Sequence, residues 1–219
     1  MHSKRWGQAC GSSLSLLLGI ALVATTFGGG GASGQTADPA TRDAAMRQLK
    51  PPQGTGGCVF LALPSDIRRD ALLAALSRQP TSSEFQVAVS KVASRCSGRA
   101  YSKDDLPFVG AVTGAVRRSA AALVLAQQFG VGQGRLDQAW STASFEDKAT
   151  FYAAAEEYLT PGSTISQRNL DVAPLAAKGG LTAATDGPSE PALRAYFLYT
   201  ALSERSEALL TSSPSIPAS

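Results

Sequence analysis

The stretch from Leu106 to Phe129, LPFVGAVTGAVRRSAAALVLAQQF, constrains this chain more than any other, because Arg117 and Arg118 are its only charges. Asp104 and Asp105 precede it, Pro107 suits its first turn, and Gly130 ends it, so it reads as one long helix. A helix that is apolar on most sides has to be central and covered. The remaining segments must therefore supply the cover. Gly110 and Gly114 form a G-x-x-x-G step, with Ala111, Ala115 and Ala121 as further small surfaces. In a membrane this pattern would mark a dimer seam. The arginine pair argues against a span, so the step is expected to pack closely against a neighbouring helix.

The cover is expected to be helical throughout. A proline-started helix runs from Asp38 to Lys50, where Pro51 and Pro52 stop it. GTGGC reads as a loop, and the apolar run from Val59 to Leu63 is either a buried strand or a helical turn, which periodicity does not separate. SDIRRDALLAALSR begins on a capping serine, Ser65, and aligns Ile67, Ala71, Leu72 and Leu76 before Pro80. Thr81 and Glu84 form a capping box for a helix carrying Phe85, Ala88, Val89, Val92 and Cys96, closed by Gly98. After Gly130 come a short helix around Leu136 to Trp140 and a second start capped by Ser144. That second helix places Phe145, Ala149, Tyr152 and Leu159 on one stripe and Glu146, Thr150, Ala153 and Glu157 on another. Residues 163 to 188 are irregular, with a short helix around Val172 to Lys178. The last helix, PSEPALRAYFLYTALSERSEALLTSS, has Leu193, Phe197 and Ala201 on one face and Leu198, Leu202 and Leu209 on the next. No alternating run builds a sheet, and no repeat occurs.

The N-terminus reads as an export signal. Lys4 and Arg5 precede an uncharged apolar stretch of 14 residues, 14 to 27, followed by GGGGASGQ. Those residues span only about 21 Å as a helix, short of the ~30 Å bilayer core, which disfavours an uncleaved anchor. A lipid anchor fits less well still, since Cys10 precedes the apolar run. Cleavage after Gly34 removes His2, the only histidine, and Cys10. The mature chain keeps Cys58 and Cys96, expected to form one disulfide in an oxidising compartment with both sulfurs facing inward. Neither cysteine belongs to a C-x-x-C redox motif.

About 185 residues remain after residue 34, enough for one domain with a real core. Without Lys4 and Arg5 there are 18 basic against 17 acidic residues, a net of +1. That balance lacks the positive footprint of a nucleic-acid binder. The pairs Arg68-Arg69 and Arg117-Arg118 read as solvated faces or partners of carboxylates, with an anionic-ligand role as the alternative.

Losing histidine removes the imidazole-dependent mechanisms, including Ser-His triads and Cys-His pairs. No mature lysine has a serine three residues before it, and no G-x-S-x-G elbow occurs. Gly130-x-Gly132-x-Gly134 lacks a preceding strand and a Walker lysine, so it is a helix break rather than a phosphate loop. No calcium-loop pattern appears. Acid and base work by carboxylates survives, with Glu146, Asp147, Glu156, Glu157, Glu204 and Glu207 as candidates and solvated helix faces as the ordinary alternative. Tyr152 and Tyr158 on one helix, with Tyr196, Phe197 and Tyr199 on another, suit a ligand groove or partner surface. Three aromatics within four residues cannot all point inward.

These observations predict an all-α, single-domain bundle of five to seven helices with one disulfide and flexible termini: residues 1–34 as signal peptide, 35–210 as helical domain, 211–219 as disordered tail. The expected location is periplasmic or secreted, with no stable membrane insertion after cleavage. The expected function is non-catalytic binding of a small ligand or envelope protein, without cofactor, metal or nucleic acid. The candidate surface comprises Tyr152, Tyr158, Tyr196, Tyr199, Arg117 and Arg118. A carboxylate-dependent hydrolase of envelope glycans and a structural accessory subunit are the alternatives.

Overall fold

Asp105 accepts the Phe108 amide and Gly130 closes the far end in the left-handed conformation, so the long apolar stretch forms one helix. The structure is a computed structural model that describes residues 44, 46–77, 79–98, 102–161, 170–185 and 187–212. Among the described residues there is no strand. From Thr55 onward the described residues form eight α-helices: α1 (Thr55–Ala62), α2 (Ser65–Leu76), α3 (Ser83–Ser97), α4 (Leu106–Phe129), α5 (Gln133–Thr142), α6 (Phe145–Tyr158), α7 (Ala173–Lys178) and α8 (Glu190–Ser212), with a 3-10 turn at Thr182–Ala184. Six of them have ten or more residues, and α1 and α7 are the short additions. The all-α, disulfide-bonded fold read from the sequence is therefore the fold observed. The signal at 1–34 and most of the first expected helix lie outside the described residues, although Ala44 and Met46 to Gln48 are helical. At the other end α8 continues through Thr211 and Ser212, two positions into the expected tail.

α4 is covered from both sides. Its most apolar 18-residue window has the length and composition of a membrane span, yet 78% of it is buried inside the protein. Along one flank it meets α8, and the two glycines set the distance. A Cβ at Gly114 would stand 2.4 Å from Ser203 Oγ and 3.0 Å from the Tyr199 carbonyl oxygen; one at Gly110 would stand 2.5 Å from Ser206 Oγ. The G-x-x-x-G step is thus the seam between the two longest helices.

Two cores share α4. The N-terminal one gathers Val59, Phe60, Leu72, Val89 and Val92 with Phe108 to Ala120, and Leu210 reaches it from the end of α8. The C-terminal one gathers Ala121, Ala122 and Leu125 with α5 to α8, centred on Trp140, Phe151, Tyr196 and Phe197.

Four local expectations give way to tertiary packing. GTGGC is not a loop: α1 starts at Thr55 behind Gly54, whose φ of 94° suits glycine, and the Glu207 carboxylate accepts the Gly56 amide at 3.0 Å. Gly56 also lets α1 approach α4, since a Cβ there would meet the Ala111 carbonyl oxygen at 2.2 Å. The caps shift as well: Pro64, not Ser65, precedes α2, and Ser82 rather than Thr81 accepts the Phe85 amide at the start of α3. On α6 the buried residues are Phe151, Ala154 and Ala155, while Phe145 is 68% exposed, because Phe151 packs edge-on against the stacked rings of Trp140 and Phe197. On α8 Leu210 takes the buried place expected for Leu209.

The disulfide joins Cys58 on α1 to Cys96 on α3, with Cα atoms 5.6 Å apart. Its sulfurs do not both face inward as expected. α1 turns Val59 and Phe60 into the core, which leaves Cys58 exposed and Cys96 half-buried. A bridge of this kind fits an oxidising compartment.

Candidate functional site

Successive positions on α4 face different neighbours, and this separates the two arginines. Gly110, Gly114 and Arg118 recur every fourth residue and look toward α8, whereas Val109, Thr113 and Arg117 form the adjacent row. That second row lines a cleft of about 280 Å³. The opposite wall comes from the end of α2, the turn around Pro80, and Phe85, Gln86 and Val89 of α3. α3 rests on α1 and α2 rather than along α4, so its apolar face stands off α4 and leaves the gap. Phe108, Val112 and Val116 provide a buried apolar floor, and Tyr158 closes one end.

Charge is sparse in this cleft, although neutral polar side chains share its lining with the apolar ones. Arg117 is the single charged side chain among the described lining residues. It donates from Nη1 to the Tyr199 hydroxyl at 2.8 Å, with its guanidinium carbon 5.4 Å from the Tyr199 ring centroid. Tyr158 donates to Thr113 Oγ1 over a long 3.5 Å. Gln79, Thr81 and Gln86 add neutral donors and acceptors. Of the six surface residues expected from sequence, the structure therefore places Arg117 and Tyr158 in the cleft and Tyr199 behind Arg117.

Arg118 and Tyr196 belong to the interior instead. Arg118 is 6% exposed and donates to Thr200 Oγ1 at 3.2 Å, to the Lys50 carbonyl at 3.1 Å and to the Asp137 carboxylate. Its guanidinium carbon lies 4.9 Å from the Tyr196 ring centroid, and the Tyr196 hydroxyl donates to the same Asp137 oxygen at 2.5 Å. A buried cation is tolerable when paired and hydrogen-bonded in this way. Burial first, and the Asp137 hydrogen bond as well, push the Tyr196 phenol well above the usual tyrosine range against the pull of Arg118. The node ties α4, α5, α8 and the Lys50 segment together. Its cation is buried and already paired, which makes it a structural joint.

Tyr152 lies in a third arrangement, at the edge formed by α5, α6 and α8. Glu204 accepts from Trp140 Nε1 at 2.7 Å and from the Tyr152 hydroxyl at 2.6 Å. Burial, then this hydrogen bond, raises the Tyr152 phenol above its ordinary value. Phe145 stacks on Tyr152, Arg205 covers its ring at 4.5 Å, and Lys148 sits 5.2 Å from the Trp140 ring. The protein's own cations occupy these ring faces, so the cluster is not an empty aromatic cage for a foreign cation.

Four of the six candidate carboxylates are placed apart from one another. Glu156 pairs with Arg205 at 3.0 Å, Glu204 serves Trp140 and Tyr152, Glu207 caps α1, and Glu146 is exposed. None lines the cleft. Among the described residues no three His, Cys, Asp or Glu side chains group to hold a metal ion. No protein family, curated protein or solved structure matches this chain.

Sequence reasoning treated Arg117 and Arg118 as one pair, and the four-residue spacing of Arg118 from Gly114 was the signal that separates them. Thr113, Gln79 and Gln86 carry no motif. The packing of α4 against α3 and the turn after α2 brings them to one place.

Proposed function

We propose that this protein is a non-catalytic binding domain whose cleft between α3 and α4 holds a small ligand. One observation carries the proposal: a preformed gap with a buried apolar floor, neutral polar side chains and a single cation is a form that small-molecule sites take. At about 280 Å³ it lies at the small end of such sites. The same lining favours binding over carboxylate-dependent hydrolysis, because it contributes no carboxylate among the described residues.

The domain is proposed to work in a periplasm or outside the cell after loss of residues 1–34. The disulfide supports an oxidising compartment, and the basic start, apolar stretch and small residues of the N-terminus support export. N-terminal mass analysis of protein from its native cell should find a chain beginning near Gln35; retention of His2 would overturn the export reading.

A fragment screen read by methyl NMR tests the cleft. Binders should shift the methyls of Val89, Val112 and Val116, and Thr113→Trp, which fills the gap from a half-buried position, should abolish those shifts. Equal binding to the filled and folded variant would sink the proposal.

A further inference from the structure

We infer that the ligand of this cleft is a small monocarboxylate with an apolar body of about five to six carbons, its carboxylate held by Arg117. The inference rests on the cleft being a binding site, and it names what that site selects.

Charge argues for an anion. Arg117 is the one charged side chain among the described lining residues, and among the described residues no carboxylate forms an ion pair with it. The next residue, Arg118, shows the contrast: its charge is answered by Asp137. A guanidinium offers five donors in a planar fork. The Tyr199 hydroxyl takes one nitrogen at 2.8 Å, which restrains the fork without neutralising it. A restrained, uncompensated fork suits a carboxylate, which accepts two parallel hydrogen bonds. A phosphate dianion would call for a second cation, and the described lining supplies none.

Volume and wall chemistry set the body. At the ~30 Å³ that a water occupies in the liquid, 280 Å³ has room for about nine non-hydrogen atoms. Three of them form the carboxylate. The rest meet Phe85, Val89, Phe108, Val112 and Val116, where a charged body would lose its hydration without a counter-charge.

Sodium hexanoate and 1-hexanol share a body and differ in the head group, so their comparison isolates the contribution of Arg117. Calorimetric and methyl-NMR titrations of the folded wild-type protein should show hexanoate binding at least tenfold tighter than 1-hexanol, with shifts at Val89, Val112 and Val116. Arg117→Gln should remove the preference, bringing hexanoate to the level of 1-hexanol, and Arg117→Lys should keep part of it. Equal affinities in the wild type, or a preference that survives Arg117→Gln, would overturn the carboxylate assignment while leaving the cleft reading intact. Fragment binding at the cleft methyls without hexanoate binding would do the same. Absence of any ligand at those methyls, fragments included, would remove the cleft reading itself. The wild-type comparison stands even if a variant fails to fold.

Discussion

The two cores on either side of α4 are closed by different means. On the C-terminal side Trp140, Phe151, Tyr196 and Phe197 lie ring against ring, with neighbouring centroids 5.7–6.3 Å apart, and the one buried cation has a carboxylate, a hydroxyl and a carbonyl as partners. The N-terminal side is built largely from valines and alanines, is held at its outer edge by a disulfide, and keeps a cleft between α3 and α4. Large rings fill space and fix their neighbours. Where the side chains are smaller and one helix stands off, covalent stapling does part of the holding and room for a ligand remains.

The sharpest test of this contrast compares a ring with a valine. Phe197→Ala should cost about 3–5 kcal/mol of stability, and Val92→Ala on the other side about 2, both measured by urea unfolding. Equal losses would mean that the two cores are equally tight. Next in size is the disulfide: replacing Cys58 and Cys96 with serine should cost up to about 4 kcal/mol for its 38-residue span. Hydrogen exchange should then speed up in α1 and α3 before α5 to α8, and a uniform increase would break the division into halves.

The polar node gives a smaller and asymmetric effect. Asp137→Ala strands a guanidinium whose side chain is 7% exposed and should cost about 3 kcal/mol, more than Arg118→Met, which leaves behind a carboxylate that is 41% exposed. The folded phenol of Tyr196 resists ionisation, so its contribution is complete below the unfolded tyrosine value of 10.0 and is lost as pH rises beyond it. Tyr196→Phe should flatten that alkaline loss in a pH series of melting curves. The smallest effect is at the start of α6, where the Ser144 hydroxyl and amide hold the Asp147 carboxyl below 3.8. That contribution is present above 3.8 and fades as pH falls through the folded value. Ser144→Ala should lower the melting temperature by only a few degrees and move the Asp147 titration, followed by NMR, back up toward 3.8.

Much of the helical framework is written locally and was legible as such. Asp105, Ser144, Gly98 and Gly130 act within a few residues of themselves, and each ends or starts its helix where the sequence places it. The G-x-x-x-G seam was legible for the same reason, since two glycines one turn apart leave a groove whatever fills it. α1 was not. Its first turn depends on Glu207, 151 residues away from Gly56, and on the Ala111 backbone, so no local window contains the cause. The candidate site was half legible. Arg117 and Tyr158 stood out as residue types, but the gap they border exists because α3 leans on α1 and α2, which is a property of packing rather than of any motif.

The seam between α4 and α8 also sets a clock. α4 ends at Phe129 and α8 begins at Glu190, so a ribosome making about 5–20 residues per second finishes α4 on the order of 3 to 12 s before it reaches the helix that covers this flank. For that interval a helix as apolar as a membrane span has no lid. Chains halted before residue 190 should therefore aggregate or be captured by chaperones, however well their own segments form, because the helix that closes this flank of α4 is made long after it.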